Sequence, residues 1–153
     1  MKTANEVIWQ KKKADNFIHP DALVIEALNK LNEVNLSYLI VRDENNDVKG
    51  IFSERDYARK VFLQGRSSNI TTVKEVMSTD LPEVQGNELL ESCMNLLAEQ
   101  GRRYIIVKDN NNFEGVITIH DLLREVLLHG ERVLNVNVAR KLIDINERPP
   151  RVY

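Results

Sequence analysis

The sequence is poor in the residues that build disulfides and metal sites. It has one cysteine, Cys93, and three histidines, and none of these residues forms a cluster with another. A single cysteine excludes an internal disulfide bond, and zinc sites need several Cys or His residues at short spacing. We therefore expect no metal site and a reducing, cytoplasmic location. We also expect no catalytic cofactor.

Charge of one sign and long apolar runs are also lacking. Charged residues make up 29% of the 153-residue chain, yet its formal net charge is only -2. This balance leaves no overall field that attracts nucleic acid, and the lysine run at residues 11–13 is typical of a solvated helix face. The first residues have no apolar core like that of a signal peptide, and no run reaches the roughly 18 apolar residues of a membrane span. We expect binding to neither nucleic acid nor membrane.

What the sequence does contain is an internal repeat. The stretch GIFSERD at residues 50–56 returns as GVITIHD at residues 115–121, with a glycine, two apolar residues, a hydroxyl and an aspartate three positions after the hydroxyl. Strand-length apolar runs recur at residues 37–41 and 103–107, and turn-forming Asn and Asp residues follow both runs. Ahead of these runs, apolar residues at helical spacing occur at Val24, Ala27, Leu28 and Leu31 and again at Leu90, Cys93, Met94 and Leu97.

Each copy of the repeat reads as strand, helix, strand, strand, helix, which predicts an α+β fold. The first strands fall near residues 16–18 and 83–85, and the last helices fall at residues 56–63 and 121–128, where Gly65 and Gly130 are stop signals. A copy of about 50 residues rarely folds alone. We therefore expect the two copies to pack as a pair about a pseudo-twofold axis.

The predicted organisation has five parts. A helical lead-in occupies residues 1–15, the first copy 16–65, a linker with a short helical turn 66–80, the second copy 81–130 and a tail 131–153. The apolar residues of the tail, among them Leu134, Val138 and Leu142, fit the spacing of a helix, although Leu134 and Val138 also fit a strand.

Each motif pairs a hydroxyl with a carboxylate. Ser53 with Asp56, and Thr118 with Asp121, have the spacing of a capping pair, in which the hydroxyl accepts from the third helical N–H and the acid reaches back. This interpretation explains the spacing, but neither the glycine at a fixed distance nor the repetition of the whole turn. A binding role is the alternative.

A ligand at these turns would meet both a helix start and an acid. Unpaired N–H groups at a helix start favour anions such as phosphate, but a carboxylate in the first turn repels a phosphate on the helix axis. Asp56 and Asp121 therefore suit a neutral donor, and a ribose offers two hydroxyls to one carboxylate. Ser53 and Thr118 would then donate to the phosphate, aided by Arg55.

Other polar residues near the motifs have two interpretations each. Arg102 and Arg103 would add positive charge to the second site or form a solvated turn, and Ser37 holds the place of Arg103 in the first copy. His120 would contact a phosphate or cap its helix. His19 fits the end of a strand better than a ligand-binding position.

The repeat resembles a known family. The two G-h-h-[ST]-x-x-D turns, the helix PDALVIEAL at residues 20–28 and the linker VKEVMS at residues 73–78 resemble a tandem of cystathionine beta-synthase (CBS) domains, the Bateman module. The stretch GIFSERDYARKV at residues 50–61 is similar to stand-alone CBS-domain signal-transduction proteins. The resemblance covers about residues 17–128 and implies a regulatory fold, not an enzyme, that binds AMP, ATP or NAD(H) between the two copies, usually as a homodimer.

The resemblance also implies roles for individual residues. Asp56 and Asp121 would hold ribose, Ser53 and Thr118 would lie near phosphate, and Arg103 would reach the phosphate as well. The residues that would flank adenine belong to the first strand of each copy: Ile18, His19, Pro20, Pro82 and Val84. Relatives often read Arg-His-Leu-Pro-Val where this chain has RYIIV at residues 103–107, and His120 stands where glycine is common.

Two other functions are open at this point. A structural interaction module with degenerate clefts would have the same fold, although the intact hydroxyl and acid in both motifs argue against it. A nucleotide hydrolase would need a base beside a nucleophile or a metal held by several carboxylates, and the sequence shows neither cluster.

Overall fold

The structure, a computed structural model, describes residues 2–129 and 136–147. Within these ranges the chain forms helices and short strands, and no helix has the length and apolar composition of a membrane span. The elements in chain order are α1 (Ala4–Gln10), β1 (Phe17–Ile18), α2 (Val24–Val34), β2 (Tyr38–Arg42), β3 (Val48–Ser53), α3 (Glu54–Asp56), a π-helical segment (Tyr57–Phe62), α4 (Val73–Val76), β4 (Glu83–Gln85), α5 (Leu90–Gln100), β5 (Tyr104–Asp109), β6 (Asn112–Thr118), α6 (Ile119–His129) and α7 (Val136–Glu147).

The strands form two sheets of the same topology. In each sheet a short parallel strand pairs with a central strand, and the central strand pairs with an antiparallel one, in the orders β1-β2-β3 and β4-β5-β6. Ile40 and Ile106 hold equivalent central positions, opposite Ile51 and Val116 respectively. The predicted α+β class and the predicted order of elements in both copies are confirmed.

The helices α2 and α5 form because each sequence places its apolar residues on one face. Val24, Ala27 and Leu31 of α2 are buried, and α5 buries Leu90, Cys93, Met94 and Leu97 in the same way. Both helices end at a residue with left-handed backbone, Asn35 at φ 53° and Gly101 at φ 62°. Asn and Gly adopt this conformation at low cost, so they terminate the helices.

The two turns between the antiparallel strands differ in length. The turn between the paired residues Arg42 and Val48 has one residue more than the turn between Lys108 and Phe113. Asn46 has φ 62° in the first turn, whereas Asn110 and Asn111 have φ 48° and 66° in the second. Asp43 Oδ1 accepts hydrogen bonds from the N–H groups of Asn45 and Asp47, which fixes the longer turn. The predicted Asn residues therefore form these turns because asparagine adopts the left-handed backbone conformation at low cost.

The last helix of the first copy departs from the prediction of an ordinary α-helix. It begins as α3 and continues as the π-helical segment Tyr57–Phe62. The predicted stop at Gly65 is confirmed, with φ +65°, whereas the matching Gly130 lies outside the described residues. The exposed side chains of Phe62 and Leu63 follow the buried Val61.

The chain divides into two compact units whose composition the sequence does not predict. The first unit is Lys12–Asp80, and the second unit is Met1–Lys11 together with Leu81–Tyr153. The helix ahead of each copy therefore belongs to the other copy. Capping boxes begin both of these helices, through Thr3 and Glu6 in α1 and through Thr72 and Glu75 in α4.

The glycine of each motif packs against a leading segment, by which we mean α1 with Lys11 (residues 4–11) in the second unit and α4 with the two residues after it (residues 73–78) in the first. A Cβ added to Gly50 would overlap the backbone oxygen of Ser78, whose backbone pairs with Ile51. A Cβ added to Gly115 would meet Ile8 Cδ1 at 2.8 Å. Glycine is therefore required at both positions because another segment packs directly against the strand.

The described part of the tail is helical. Leu142 and Ile145 of α7 are buried in the core that also contains Leu97 of α5 and Leu122 of α6. The tail therefore extends the second unit, and helix replaces strand as the interpretation of its apolar spacing. Leu134, on which the strand interpretation partly depended, lies outside the described residues.

We expect Gly50→Ala to destabilise the protein more than Gly115→Ala. The new methyl group at residue 50 would meet backbone, which cannot move aside, whereas at residue 115 it would meet the flexible end of Ile8. We expect a loss of about 2 kcal/mol in unfolding free energy at Gly50 and less than about 1 kcal/mol at Gly115. Urea denaturation followed by circular dichroism measures both, and equal losses would contradict the packing described here.

We expect Cys93 to be unreactive in the folded protein. Its burial, assisted by the charge of Glu88, raises the pKa of the thiol to about 12, so that the reactive thiolate is absent at pH 8. A disulfide exchange reagent should therefore modify the protein only after unfolding in urea. Modification of the native chain at the rate of the unfolded chain would be inconsistent with this burial.

Candidate functional site

Ser53 and Asp56 form a closed hydrogen-bonded pair at the start of α3. Ser53 Oγ accepts from the Asp56 N–H at 3.2 Å, and Asp56 Oδ2 accepts from the Ser53 N–H and from its hydroxyl, both at 3.0 Å. Both side chains are buried, with 6% of each residue exposed. The capping interpretation of the motif is therefore correct for this turn.

Thr118 and Asp121 repeat this arrangement at the start of α6. Thr118 Oγ1 accepts from the Asp121 N–H at 3.2 Å, while Asp121 Oδ2 accepts from the Thr118 N–H at 2.8 Å and from its hydroxyl at 3.0 Å. These residues are also buried. The two predicted ribose-binding carboxylates thus have the same orientation relative to their own strands and helices.

Asp56 has two further partners that the sequence interpretation missed. Its Oδ1 accepts from the Ser78 hydroxyl at 2.9 Å and from Lys60 Nζ at 2.8 Å. Lys60 also donates to Ser78 Oγ at 3.3 Å and to the Val76 carbonyl at 3.1 Å. The spacing of Asp56 and Lys60, four residues apart on one helix, was the available signal for this pair.

Asp121 takes its cation from a different part of the chain. Lys11, which follows α1, donates from Nζ to Asp121 Oδ2 at 2.7 Å and to the Val116 carbonyl at 2.8 Å. The interpretation of residues 11–13 as a solvated face is therefore wrong for Lys11. The sequence did not reveal this pairing because 110 positions separate Lys11 from Asp121. At the position equivalent to Lys60 the second copy has Glu125, which pairs instead with Lys2 at 2.7 Å.

Three predicted phosphate-contacting residues flank these pairs. Arg55 lies half-buried in α3, between Ser53 and Asp56 in sequence, and the exposed His120 lies in the first turn of α6. The Arg103 carbonyl accepts from the N–H of Ile119 at 3.1 Å, which places the Arg103 backbone beside the start of that helix. Their roles toward a phosphate stay predictions.

The predicted adenine-flanking residues lie at the first strand of each sheet. Ile18 and Val84 lie in β1 and β4, and each packs against the core of its own unit. The buried Pro82 accepts from the Ile106 N–H at 2.9 Å, and Pro20 accepts from the Lys74 N–H at 2.9 Å. Ile18 and Val84 hold equivalent positions, opposite Val41 and Val107 of the central strands. Contact of any of these residues with a base stays a prediction.

His19 takes part in a surface network at the end of β1. Its Nε2 lies 2.9 Å from Glu44 Oε2, and its Nδ1 accepts from the Asp21 N–H at 3.1 Å. The hydrogen bond from His19 lowers the pKa of Glu44. This geometry agrees with a strand-end role, and it leaves the predicted contact with adenine untested.

A metal-binding cluster or a separate cavity would be an alternative to these two sites. No group of three or more His, Cys, Asp or Glu side chains suited to a metal ion occurs within residues 2–129 and 136–147. A cavity of about 410 Å³ in the second unit is lined by Asn5, Trp9, Gly86 and Asn110, among others, and includes none of the predicted site residues. The two motif turns present carboxylate and hydroxyl groups that their own hydrogen bonds hold in fixed positions.

The sequence of the chain matches known proteins along most of its length. A family model described as CBS domain matches residues 13–62 and 73–128. The chain is 31% identical over 144 residues to CBS domain-containing protein CBSX3, mitochondrial, of Arabidopsis thaliana, which covers 88% of this chain and 70% of that relative. Other curated relatives are longer, and the chain spans 54% and 32% of two of them.

Two solved structures are similar in fold and in sequence. One, described as a signal-transduction protein with CBS domains from Burkholderia ambifaria, has a TM-score of 0.77 and 31% identity, and the match covers 88% of this chain and 100% of that one. The other, CBSX2 in complex with AMP, has a TM-score of 0.68 and 25% identity over 82% of this chain and 96% of that one.

We expect Ser53→Ala and Thr118→Ala each to lower the unfolding free energy by about 1 to 2 kcal/mol, because each removes a hydroxyl that bonds both the helix N–H and the aspartate. Exchange of the two hydroxyl residues, Ser53→Thr and Thr118→Ser, keeps the capping hydroxyl and is the matched control, so it should cost less than the alanine substitutions. Urea denaturation would contradict the capping role if the alanine variants were as stable as the exchanged ones.

Proposed function

Because the chain belongs to the CBS-domain family, we propose that it is a non-catalytic regulatory protein that binds an adenosine nucleotide at Asp56 and Asp121. The observation that carries this proposal is the repetition of a rigid hydroxyl and carboxylate pair at the same joint in both units. The AMP complex of CBSX2 supports the class of ligand. In this proposal the aspartates bind the ribose diol.

The surroundings of each pair suit the other parts of a nucleotide. Arg55 and Arg103 would contact phosphate with guanidinium groups, which match phosphate oxygens better than an ammonium does. Ser53 and Thr118, whose hydroxyls donate to Asp56 and Asp121, would lie near the phosphate, and so would His120 in the second unit. Apolar residues of the first strands, Ile18 and Val84, would face the base, with His19, Pro20 and Pro82 beside them.

The identity of the nucleotide is a narrower proposal. AMP is the first candidate because a similar protein binds it, while ATP and NAD(H) contain the same adenosine group. We further propose a homodimer, a cytoplasmic location and signalling through a change in dimer shape or in affinity for a partner protein. A ligand shifts such an equilibrium only by its difference in affinity for the two shapes, typically worth about 1 to 3 kcal/mol.

A structural interaction module is the second candidate function. The observation that favours it is that Asp56 already bonds four groups of its own chain. In such a module the motif would serve only to join strand and helix. Nucleotide binding distinguishes the two candidates.

The experiment compares AMP with 2′-deoxy-AMP by titration calorimetry. We expect Asp56→Asn and Asp121→Asn to weaken AMP binding at their own sites by about 10-fold or more, because a diol donates to a charged acceptor more strongly than to an amide. Each substitution should also remove the preference for AMP over 2′-deoxy-AMP at that site. Asparagine keeps the size and one acceptor oxygen, so the helix start is preserved.

The matched control is Asp15→Asn. Asp15 is exposed in the first unit and pairs with Lys30, so its substitution should leave AMP binding unchanged. Affinity for AMP in the double variant Asp56→Asn, Asp121→Asn equal to that of the unaltered protein would contradict the proposed role of the aspartates. No binding of any of AMP, ATP and NAD(H) to the unaltered protein would favour the interaction module.

A further inference from the structure

The two aspartates differ in how many of their acceptor positions are occupied. A carboxylate offers about four lone-pair positions. Asp56 uses all four, two on Oδ2 for Ser53 and two on Oδ1 for Ser78 and Lys60. Asp121 accepts three bonds, all on Oδ2, and its Oδ1 has no bonded partner among residues 2–129 and 136–147.

This difference follows from substitutions between the copies. On alignment of the capping boxes at Thr3 and Thr72, the position of Ser78 is held in the second unit by Trp9, which has no hydroxyl and is 71% exposed. The position of Lys60 is held by Glu125, whose charge has the opposite sign. The second unit therefore lacks both of the groups that occupy Oδ1 in the first.

Building on the proposed function, we propose that Ser78 and Lys60 set the affinity of the first unit by competing with the ribose diol for Asp56 Oδ1. The Oδ2 bonds of Asp56 hold the helix start and are buried, so Oδ1 is the oxygen that a ligand would use. At Asp121 the diol meets an Oδ1 that no described residue occupies. Asp121 consequently binds first, and Asp56 binds at higher ligand concentration.

The competition is reversible because the displaced groups keep other partners. Lys60 remains bonded to the Val76 carbonyl at 3.1 Å and to Ser78 Oγ at 3.3 Å. The Ser78 backbone stays paired with Ile51 through hydrogen bonds of 2.8 and 2.9 Å. Displacement therefore costs two hydrogen bonds without leaving a buried group unsatisfied, which corresponds to about 2- to 10-fold in affinity for each bond.

Two binding events with different thresholds would give the protein a graded response. The second unit would be occupied at low nucleoside concentration, and the first only after further increase. The same chain would then report two concentration ranges of one ligand.

The test uses adenosine, which has no phosphate, so that the charge of Lys60 acts only through Asp56. Titration calorimetry on the Asp121→Asn variant measures adenosine affinity at the first unit, and the same titration on Asp56→Asn measures it at the second unit. We expect Asp56→Asn to bind adenosine about 10-fold or more tightly than Asp121→Asn. Adding Ser78→Ala or Lys60→Met to Asp121→Asn should tighten binding about 2- to 10-fold.

Matched controls make the same chemical changes elsewhere in the first unit. Ser67→Ala removes a hydroxyl that accepts from the Asn69 N–H, and Lys49→Met removes an exposed lysine that pairs with Asp43. Neither control should alter adenosine affinity in the Asp121→Asn chain. A gain as large in the controls as in Ser78→Ala would overturn the inference.

The remaining outcomes separate this inference from the proposed function. Equal affinities of the two single asparagine variants, or no gain from Ser78→Ala and Lys60→Met, would overturn the inference and leave nucleotide binding intact. No adenosine or AMP binding to the unaltered protein would overturn both. If Asp121→Asn does not fold, the weaker of two binding steps in the unaltered chain is measured instead, and it must tighten with Ser78→Ala.

Discussion

The bond between a first-turn aspartate and the hydroxyl that ends the preceding strand fixes the geometry of each unit. It joins sheet to helix through backbone and side chain together, at Asp56 in one unit and at Asp121 in the other. Both carboxylates are buried, and each lies beside a lysine ammonium, Lys60 at Asp56 and Lys11 at Asp121. The same carboxylate is therefore a structural element and the acceptor that the proposed ligand needs.

The motif glycine has a structural cause that is independent of any ligand. Gly50 and Gly115 allow a leading segment to lie directly on the strand, and in each case that segment carries a group which reaches the nearby aspartate. Ser78 does so in the first unit and Lys11 in the second. The spacing of the motif thus reflects three contacts that occur close together. The strand glycine contacts the leading segment, the leading segment contacts the aspartate, and the aspartate holds the start of the helix.

Periodicity and turn chemistry were sufficient to predict the elements of the fold. The apolar spacing of α2 and α5, the β-branched central strands and the Asn-rich turns each act within a few residues, so a sequence shows them directly. The hydroxyl and acid of the motif were also predictable, because their contacts span three positions. Lys60 was within reach of the same reasoning, since it lies one helical turn from Asp56.

Contacts between distant segments were not predictable. Lys11 meets Asp121 across the length of the chain, and Ser78 meets Asp56 from a segment that resembles a plain linker in sequence. The assignment of each leading helix to the other copy depends on packing, which a single sequence does not encode in any local pattern. The π-helical continuation of α3 likewise follows from tertiary context and not from residue propensities.

This division of the chain has a consequence for how the protein is made. A ribosome synthesises α1 and Lys11 before the first unit, but their partners Glu88 and Asp121 are synthesised only after that unit. At typical rates of about 5 to 20 residues per second, synthesis from the end of α1 to Glu88 takes roughly 4 to 16 seconds. A seven-residue helix has little stability alone, so we expect α1 to stay unfolded while residues 12–80 acquire their structure. The second unit is then completed by a segment that was synthesised before the first unit.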